Sequence, residues 1–371
     1  MFTYESLLQR QFDIVAALRA EVEGLMRLGD IRASDRGDSV VFVGRLLANA
    51  EDAYHILRDR FRRFGYTAIL RRKNGEDYVV AQRGVSAVSR SNPLINLALL
   101  LATVATTMFA GASFAQVNVF NALRQAVVLG YWDRLLAALV AGAPFALTLL
   151  LILGVHEMGH YIAGRLHGVN VTLPYFIPAP FGLGTFGAFI QLKSPVENRK
   201  ALFDVGLAGP VAGFLVAVPL MIIGLLASQV VPAAGGQTLG LSILVEWLVN
   251  FIHPHTAGYA VQLHPIAIAA WFGILVTGFN LLPMGQLDGG HVAYAALGKA
   301  ARPLAHLTFG ALILMGFTLW SGWWTWAFLA MITGLRHAEP LNDITPLDPV
   351  RKFIGLLTLI WFFLIITPKP F

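Results

Sequence analysis

The chain has 371 residues, 56% of them hydrophobic and 13% charged, with a mean hydropathy of +0.65 and no cysteine. A water-soluble domain carries about 25% charged residues, so for most of its length the chain is not an ordinary soluble globule. The absence of cysteine excludes disulfides and thiolate metal ligands. The net charge of only +6, without a long basic run, gives no reason to expect a nucleic-acid partner.

Residues 1–90 hold 15 of the 27 basic and 12 of the 21 acidic side chains. This asymmetry predicts a soluble α+β module over residues 1–92 and a membrane-embedded part over 93–371. Glu5, Arg10, Asp13, Arg19, Glu21, Glu23, Arg27 and Asp30 leave no room for the apolar core of a signal peptide, so a cytoplasmic N-terminus is expected. A helix is predicted near 4–27 and a strand over 39–46. A second helix is predicted over 51–64, where Tyr54, Leu57, Phe61 and Phe64 recur at helical spacing before Gly65 ends it. Strands over 67–72 and 78–82 flank Asn74-Gly75, a dipeptide that tolerates positive φ and suits a tight hairpin. A βαββ module preceded by a helix results. Arg58, Arg60, Arg62 and Arg63 read as a solvated helix face, with lipid headgroups or a partner as the alternative.

Apolar stretches follow near 95–113, 134–155, 204–228, 265–283, 303–320 and 353–367, with a shorter one over 323–335 after a turn at Ser321-Gly322. Spanning about 30 Å of hydrocarbon takes about 20 residues, so six to seven membrane helices are expected. With the N-terminus inside, the inner connections hold Arg165, Lys193, Arg199, Lys200, Lys299, Arg302, Arg336, Arg351 and Lys352. The outer ones hold Arg124, Arg134 and Lys369, and the segment 229–263 has no Lys or Arg. That bias agrees with the positive-inside rule.

Glu157, Asp204 and Asp288 are the acidic residues inside or at the ends of the second to fourth spans. A charge at that depth costs a few kcal/mol, so each needs a partner or a polar cavity. His156-Glu157-Met158-Gly159-His160 stands at the inner end of the second span. Helical residues four apart return to nearly the same face, so both imidazoles can reach one metal with Glu157 beside them as a proton acceptor. The alternative is two histidines paired with each other or with carbonyls. A catalytic zinc takes three protein ligands, and Asp288 in Asn280-Leu281-Leu282-Pro283-Met284-Gly285-Gln286-Leu287-Asp288-Gly289-Gly290-His291 can supply the third from the same side. A carboxylate that merely caps the next helix is the plainer reading of Asp288. His291, three residues on, is either a partner that orients Asp288 or a structural cap. Asp204 reads as a helix N-terminal stabiliser, and His253 and His255 as surface residues on the opposite side.

With these residues the chain resembles the site-2 protease family of intramembrane zinc metalloproteases. The likeness rests on HEMGHY over 156–161, NLLPMGQLDGGH over 280–291 and the glycine-rich third span around Gly206-Leu207-Ala208-Gly209-Pro210, and covers about 150–300. It implies one Zn2+ per chain held by His156, His160 and Asp288, Glu157 as general base, and Asn280 holding the scissile peptide or its oxyanion. The segment 182–195 resembles the family's β-rich re-entrant loop, whose edge at 188–193 would hold an unwound substrate; an ordinary cytoplasmic hairpin is the alternative. The resemblance therefore implies a polytopic α-helical membrane protein with a re-entrant β-rich loop and a small N-terminal α+β cytoplasmic module. It implies an endopeptidase acting on a transmembrane substrate protein within the lipid bilayer.

The segment 229–263 is too short for a PDZ domain, and the architecture is most similar to the cyanobacterial and plastid branch with a soluble N-terminal extension. A bacterial plasma membrane, with the site opening to the cytoplasm, is the expected location. A membrane metal transporter and a non-catalytic helix-binding adaptor are the competing functions; Glu157 and the absence of an internal repeat count against them.

Overall fold

The structure is a computed structural model and describes residues 4–34, 38–84, 92–233, 238–254 and 258–371. The N-terminal elements are α1 (Tyr4–Val22), β1 (Met26–Ala33), β2 (Ser39–Leu46), α2 (Ala50–Arg62), β3 (Tyr66–Lys73) and β4 (Glu76–Arg83). They form a four-stranded antiparallel sheet of order β1-β2-β4-β3. Alternate residues of the strands and the apolar face of α2 close a core around Phe42, Tyr54, Leu57, Phe61, Leu70 and Val79. Asn49 caps α2 by accepting the N–H of Glu51. Asn74 and Gly75 take φ of 54° and 83°, as the β3–β4 hairpin requires. One strand escapes the sequence reading. The first helix ends at Val22, not near 27, and Met26–Ala33 forms the edge strand β1. Its Arg27, Asp30 and Arg32 broke the apolar alternation by which strands are recognised.

The second part continues with α3 (Pro93–Phe114), α4 (Val119–Leu129), α5 (Trp132–Leu166), β5 (Tyr175–Pro178), β6 (Thr185–Phe189), α6 (Arg199–Leu226), β7 (Gln229–Pro232) and α7 (Ile243–Ile252). Then come β8 (Tyr259–Gln262), α8 (Pro265–Asn280), α9 (Asp288–Leu297), a 3-10 turn (Gly298–Ala300), α10 (Ala301–Thr318), α11 (Trp323–Thr333) and α12 (Pro349–Ile365). Pro93–Phe114, Trp132–Leu166, Arg199–Leu226 and the run Asp288–Thr318 are long and apolar enough to cross a bilayer. Together with the composition they make this a membrane protein. β5 and β6 pair as a hairpin, and β7 pairs with β8 within the segment 229–263.

Two differences from the sequence reading matter for the site. The apolar stretch 134–155 is only part of α5, whose 35 residues cover about 52 Å. His156–His160 therefore lies inside a helix that runs on to Leu166, so its geometry is held from both ends. Asp204 does not cap α6. Asn198 does, accepting from Ala201 N–H, while Asp204 takes two bonds from Arg351 (2.7 and 2.6 Å) and lies 2.9 Å from His167 Nε2. It ties α5, α6 and α12 together at one end of the bundle. His253 bonds Leu225 O through its ring nitrogen (2.8 Å), and His255 lies outside the described residues.

Candidate metal centre

The core of the bundle is where α5, α6 and α8 cross, and His156, Glu157 and His160 are buried there at 7% exposure or less. Both histidines face α6, which can come close only because it presents hydrogen instead of side chains. A Cβ placed on Gly209 would lie 2.1 Å from His160 Nε2, and one on Gly213 would lie 3.0 Å from His156 Cβ. The glycines of the third span thus make room for the imidazoles.

α8 stops at Asn280, and the chain turns through Leu281–Leu287 before α9 begins at Asp288. Asp288 makes no cap bond with its own helix. It reaches the histidines instead: Oδ2 is 3.2 Å from His156 Nε2 and Oδ1 is 3.3 Å from His160 Nε2, while the two Nε2 atoms are 3.2 Å apart. His160 Nδ1 donates to the carbonyl of Val205 at 2.6 Å, which turns the lone pair of Nε2 inward. Two imidazole nitrogens and both oxygens of one carboxylate are therefore gathered in an apolar interior, an arrangement that repels itself unless a cation or proton sits among them.

The spacing tests which cation. Tetrahedral zinc with bonds of about 2.0–2.2 Å separates its ligand atoms by about 3.3–3.5 Å, close to the three distances observed. Nitrogen, nitrogen and carboxylate oxygen, with no sulfur, also form a donor set usual for catalytic zinc. Residues 156, 160 and 288 are the group of possible ligands that meets within 4.8 Å among the described residues.

Glu157 lies beside the segment that follows β6, with the backbone of Ile190 near its carboxylate. Asn280 brings its Nδ2 to 3.4 Å from His156 Nε2, so its carboxamide borders the same space. All five residues singled out from the sequence meet in one place. The expected edge at 188–193 is corrected in part. β6 ends at Phe189, and Gln191 O and Lys193 N–H are taken by Thr172 N–H (3.1 Å) and Asn170 O (2.7 Å). Backbone groups alternate sides along an extended chain, so those of Ile190 and Leu192 turn away from residues 170–172. His291 does not orient Asp288: its ring nitrogen bonds His337. The carbonyl of Val205 was missed, because a backbone acceptor leaves no mark in the residue types. His337 was missed because it lies 46 residues from its partner.

Comparison with known proteins adds the family. Residues 144–320 match the model of peptidase family M50 and contain the histidine pair, Glu157, Asn280 and Asp288. Residues 144–320 thus carry a peptidase family M50 domain, the site-2 protease type. The chain is similar to "Probable zinc metalloprotease EGY1, chloroplastic" of Arabidopsis thaliana, at 36% identity over 62% of this chain and 43% of that one. The EGY2 protein of the same plant is 33% identical over 72% of this chain and 50% of its own length. The rice EGY1 protein is 30% identical over 88% of this chain and 63% of its own. The chain thus spans about half the length of the curated relatives it matches. No solved structure matches it.

Proposed function

We propose that the chain is a zinc-dependent intramembrane endopeptidase, hydrolysing a peptide bond within or next to a transmembrane helix of a substrate protein. The observation that carries this reading is the convergence of His156, His160 and Asp288 at 3.2–3.3 Å, with a buried carboxylate, Glu157, next to the first histidine. In it His156, His160 and Asp288 hold one Zn2+. The bound ion supplies Lewis acidity, polarising a peptide carbonyl and making water acidic near neutral pH. Glu157 takes the proton of the attacking water and returns it to the leaving amine nitrogen. Asn280 donates its carboxamide N–H to the peptide oxygen as negative charge develops there. An unwound substrate strand pairs with the backbone groups of Ile190 and Leu192 that turn away from residues 170–172, because a helix with its carbonyls bonded internally offers none to attack.

The finer topology belongs to the same proposal: six to seven spans, with α8, α11 and α12 completing the four long ones, and the β5–β6 hairpin re-entering the membrane beside Glu157. Residues 1–92 form a unit with its own apolar core, and 93–371 form the protease part. The basic connections put that unit and the opening of the site on the cytoplasmic side. The relatives' names place them in chloroplasts, whereas a bacterial plasma membrane is the location inferred for this chain.

Glu157→Gln tests the reading, because it keeps the shape and removes the base. The purified variant should keep about one zinc per chain while cleavage of a reporter transmembrane helix falls at least about 100-fold. Undiminished cleavage would defeat the proposal.

A further inference from the structure

Residues 334–348, between α11 and α12, run as a strap between the N-terminal module and the helix that carries Asp288. On the module side the strap extends the sheet. Leu70 of β3 donates to Leu341 O at 2.8 Å and accepts from Asp343 N–H at 3.2 Å. Arg71 directs its guanidinium at the carbonyls of Leu70, Pro340 and Leu341 (2.8, 2.7 and 2.9 Å), with Nε 2.9 Å from the Glu339 carboxylate. Leu341 and Ile344 pack against the module's core.

The other side of the strap holds the protease part. Leu341 and Asn342 donate their N–H groups to Val196 O and Glu197 O (2.9 and 2.7 Å), just before α6. Asp343 accepts from Arg199 Nε at 2.9 Å and from the Tyr294 hydroxyl at 3.2 Å. His337 stacks on the Tyr294 ring, with centroids 4.9 Å apart and planes at 18°, and bonds His291. Tyr294 and His291 both belong to α9, within two turns of Asp288.

α9 has only ten residues, no side-chain cap, and irregular chain before it. It packs closely on α6 through Gly206, and a turn of a few degrees about that contact would move Asp288 away from His156 and His160. We propose that the N-terminal module positions Asp288 through this strap, Arg71 holding the strap and Tyr294 passing its position to α9. Resting on the reading of Asp288 as a zinc ligand, the inference makes Arg71 and Tyr294 positioning residues of the metal centre, although neither touches the ion. The module is then a brace from which the affinity of the site can be set. Arginine suits that post because its planar fork can serve several acceptors at once.

The test uses the full chain in detergent, with Arg71→Ala to release the strap and Tyr294→Phe to remove one hydroxyl while keeping the ring. Zinc affinity is measured by chelator competition, hydrogen exchange by mass spectrometry over 339–345, and kcat and KM with a reporter helix. Both variants should bind zinc about threefold to thirtyfold more weakly, the range expected of residues that couple distant sites. Their kcat should fall while KM holds, and exchange over 339–345 should rise in Arg71→Ala. Arg32→Ala, on the far edge strand, should match wild type in every readout. If Arg71→Ala does not purify folded, Glu339→Gln takes its place, weakening the same ion pair.

Wild-type zinc affinity in Arg71→Ala, or in its substitute, overturns the inference and leaves the protease reading standing. Failure of the wild type to bind zinc overturns both.

Discussion

Two aspartates divide the molecule, Asp77 fully buried and Asp288 half-buried. Asp77, in the N-terminal sheet, accepts from the N–H of Leu46 at 3.0 Å and from Arg72 Nε at 2.6 Å, so donors meet its charge. Asp288 faces two imidazole nitrogens at 3.2 and 3.3 Å, one of them already oriented by Val205 O to present a lone pair. A carboxylate met by donors is a structural element. One set against imidazole nitrogens needs a proton or a cation between them, and the grouping of three possible ligands favours a metal ion. What tells the two apart is the kind of partner each meets.

The same substitution at both positions is the sharpest way to break this comparison. Asp288→Asn should lower the zinc content of the purified chain below about a tenth of an equivalent and abolish cleavage, because one of three ligands loses its charge. Asp77→Asn should leave zinc in place and destabilise the module by about 1.5–3 kcal/mol, the usual worth of hydrogen bonds to a charged group. Metal analysis and denaturant unfolding read the two outcomes. Loss of zinc from Asp77→Asn, or its retention in Asp288→Asn, would erase the distinction.

The pair of aspartates also shows why the halves were not equally legible in the sequence. In the apolar half a charge is costly, so Glu157, Asp204 and Asp288 stood out singly, and the spacing of His156 and His160 supplied the geometry. In the N-terminal module charged residues are common, and exposed pairs such as Arg19 with Glu23 decide little. There the apolar period carried the reading and recovered α2, β2, β3 and β4, but failed at β1, whose edge position tolerates Arg27, Asp30 and Arg32. Contacts between remote segments were legible nowhere. The strap over 334–348 carries no period, and its pairing with Leu70 on one side and Val196 and Glu197 on the other is a tertiary fact. Asp204 was misread for the same reason, since Arg351 lies 147 residues away.

Glycines give a second, smaller contrast. Gly209 is needed for space: its added Cβ would stand 2.1 Å from His160 Nε2. Gly75 is needed for conformation, at φ 83° with nothing within 4 Å of an added Cβ. Gly209→Ala should therefore weaken zinc about 10- to 100-fold, as changes beside a metal ligand do, with little effect on unfolding of the module. Gly75→Ala should cost the module about 1–2 kcal/mol and leave zinc affinity unchanged. Equal effects on zinc would mean that the α5–α6 crossing does not set the ligand geometry.

The smallest effect concerns Tyr54, where burial has no evident function. Its side chain is 1% exposed, its hydroxyl has no hydrogen-bond partner, and burial in the module's core pushes the phenol's pKa up. Unlike Asp77 it gains nothing from its polar atom, and unlike Asp288 it gathers no other donors around it. Tyr54→Phe removes the unpaired oxygen and keeps the ring that packs in the same core as Leu57 and Phe61. The module should therefore hold its stability or gain up to about 1 kcal/mol, since an unpaired buried hydroxyl costs about 1–3 kcal/mol on folding and part of that is returned as a small void. A loss above 1 kcal/mol in urea unfolding would mean that the hydroxyl is bonded in solution, and would move Tyr54 to the class of Asp77.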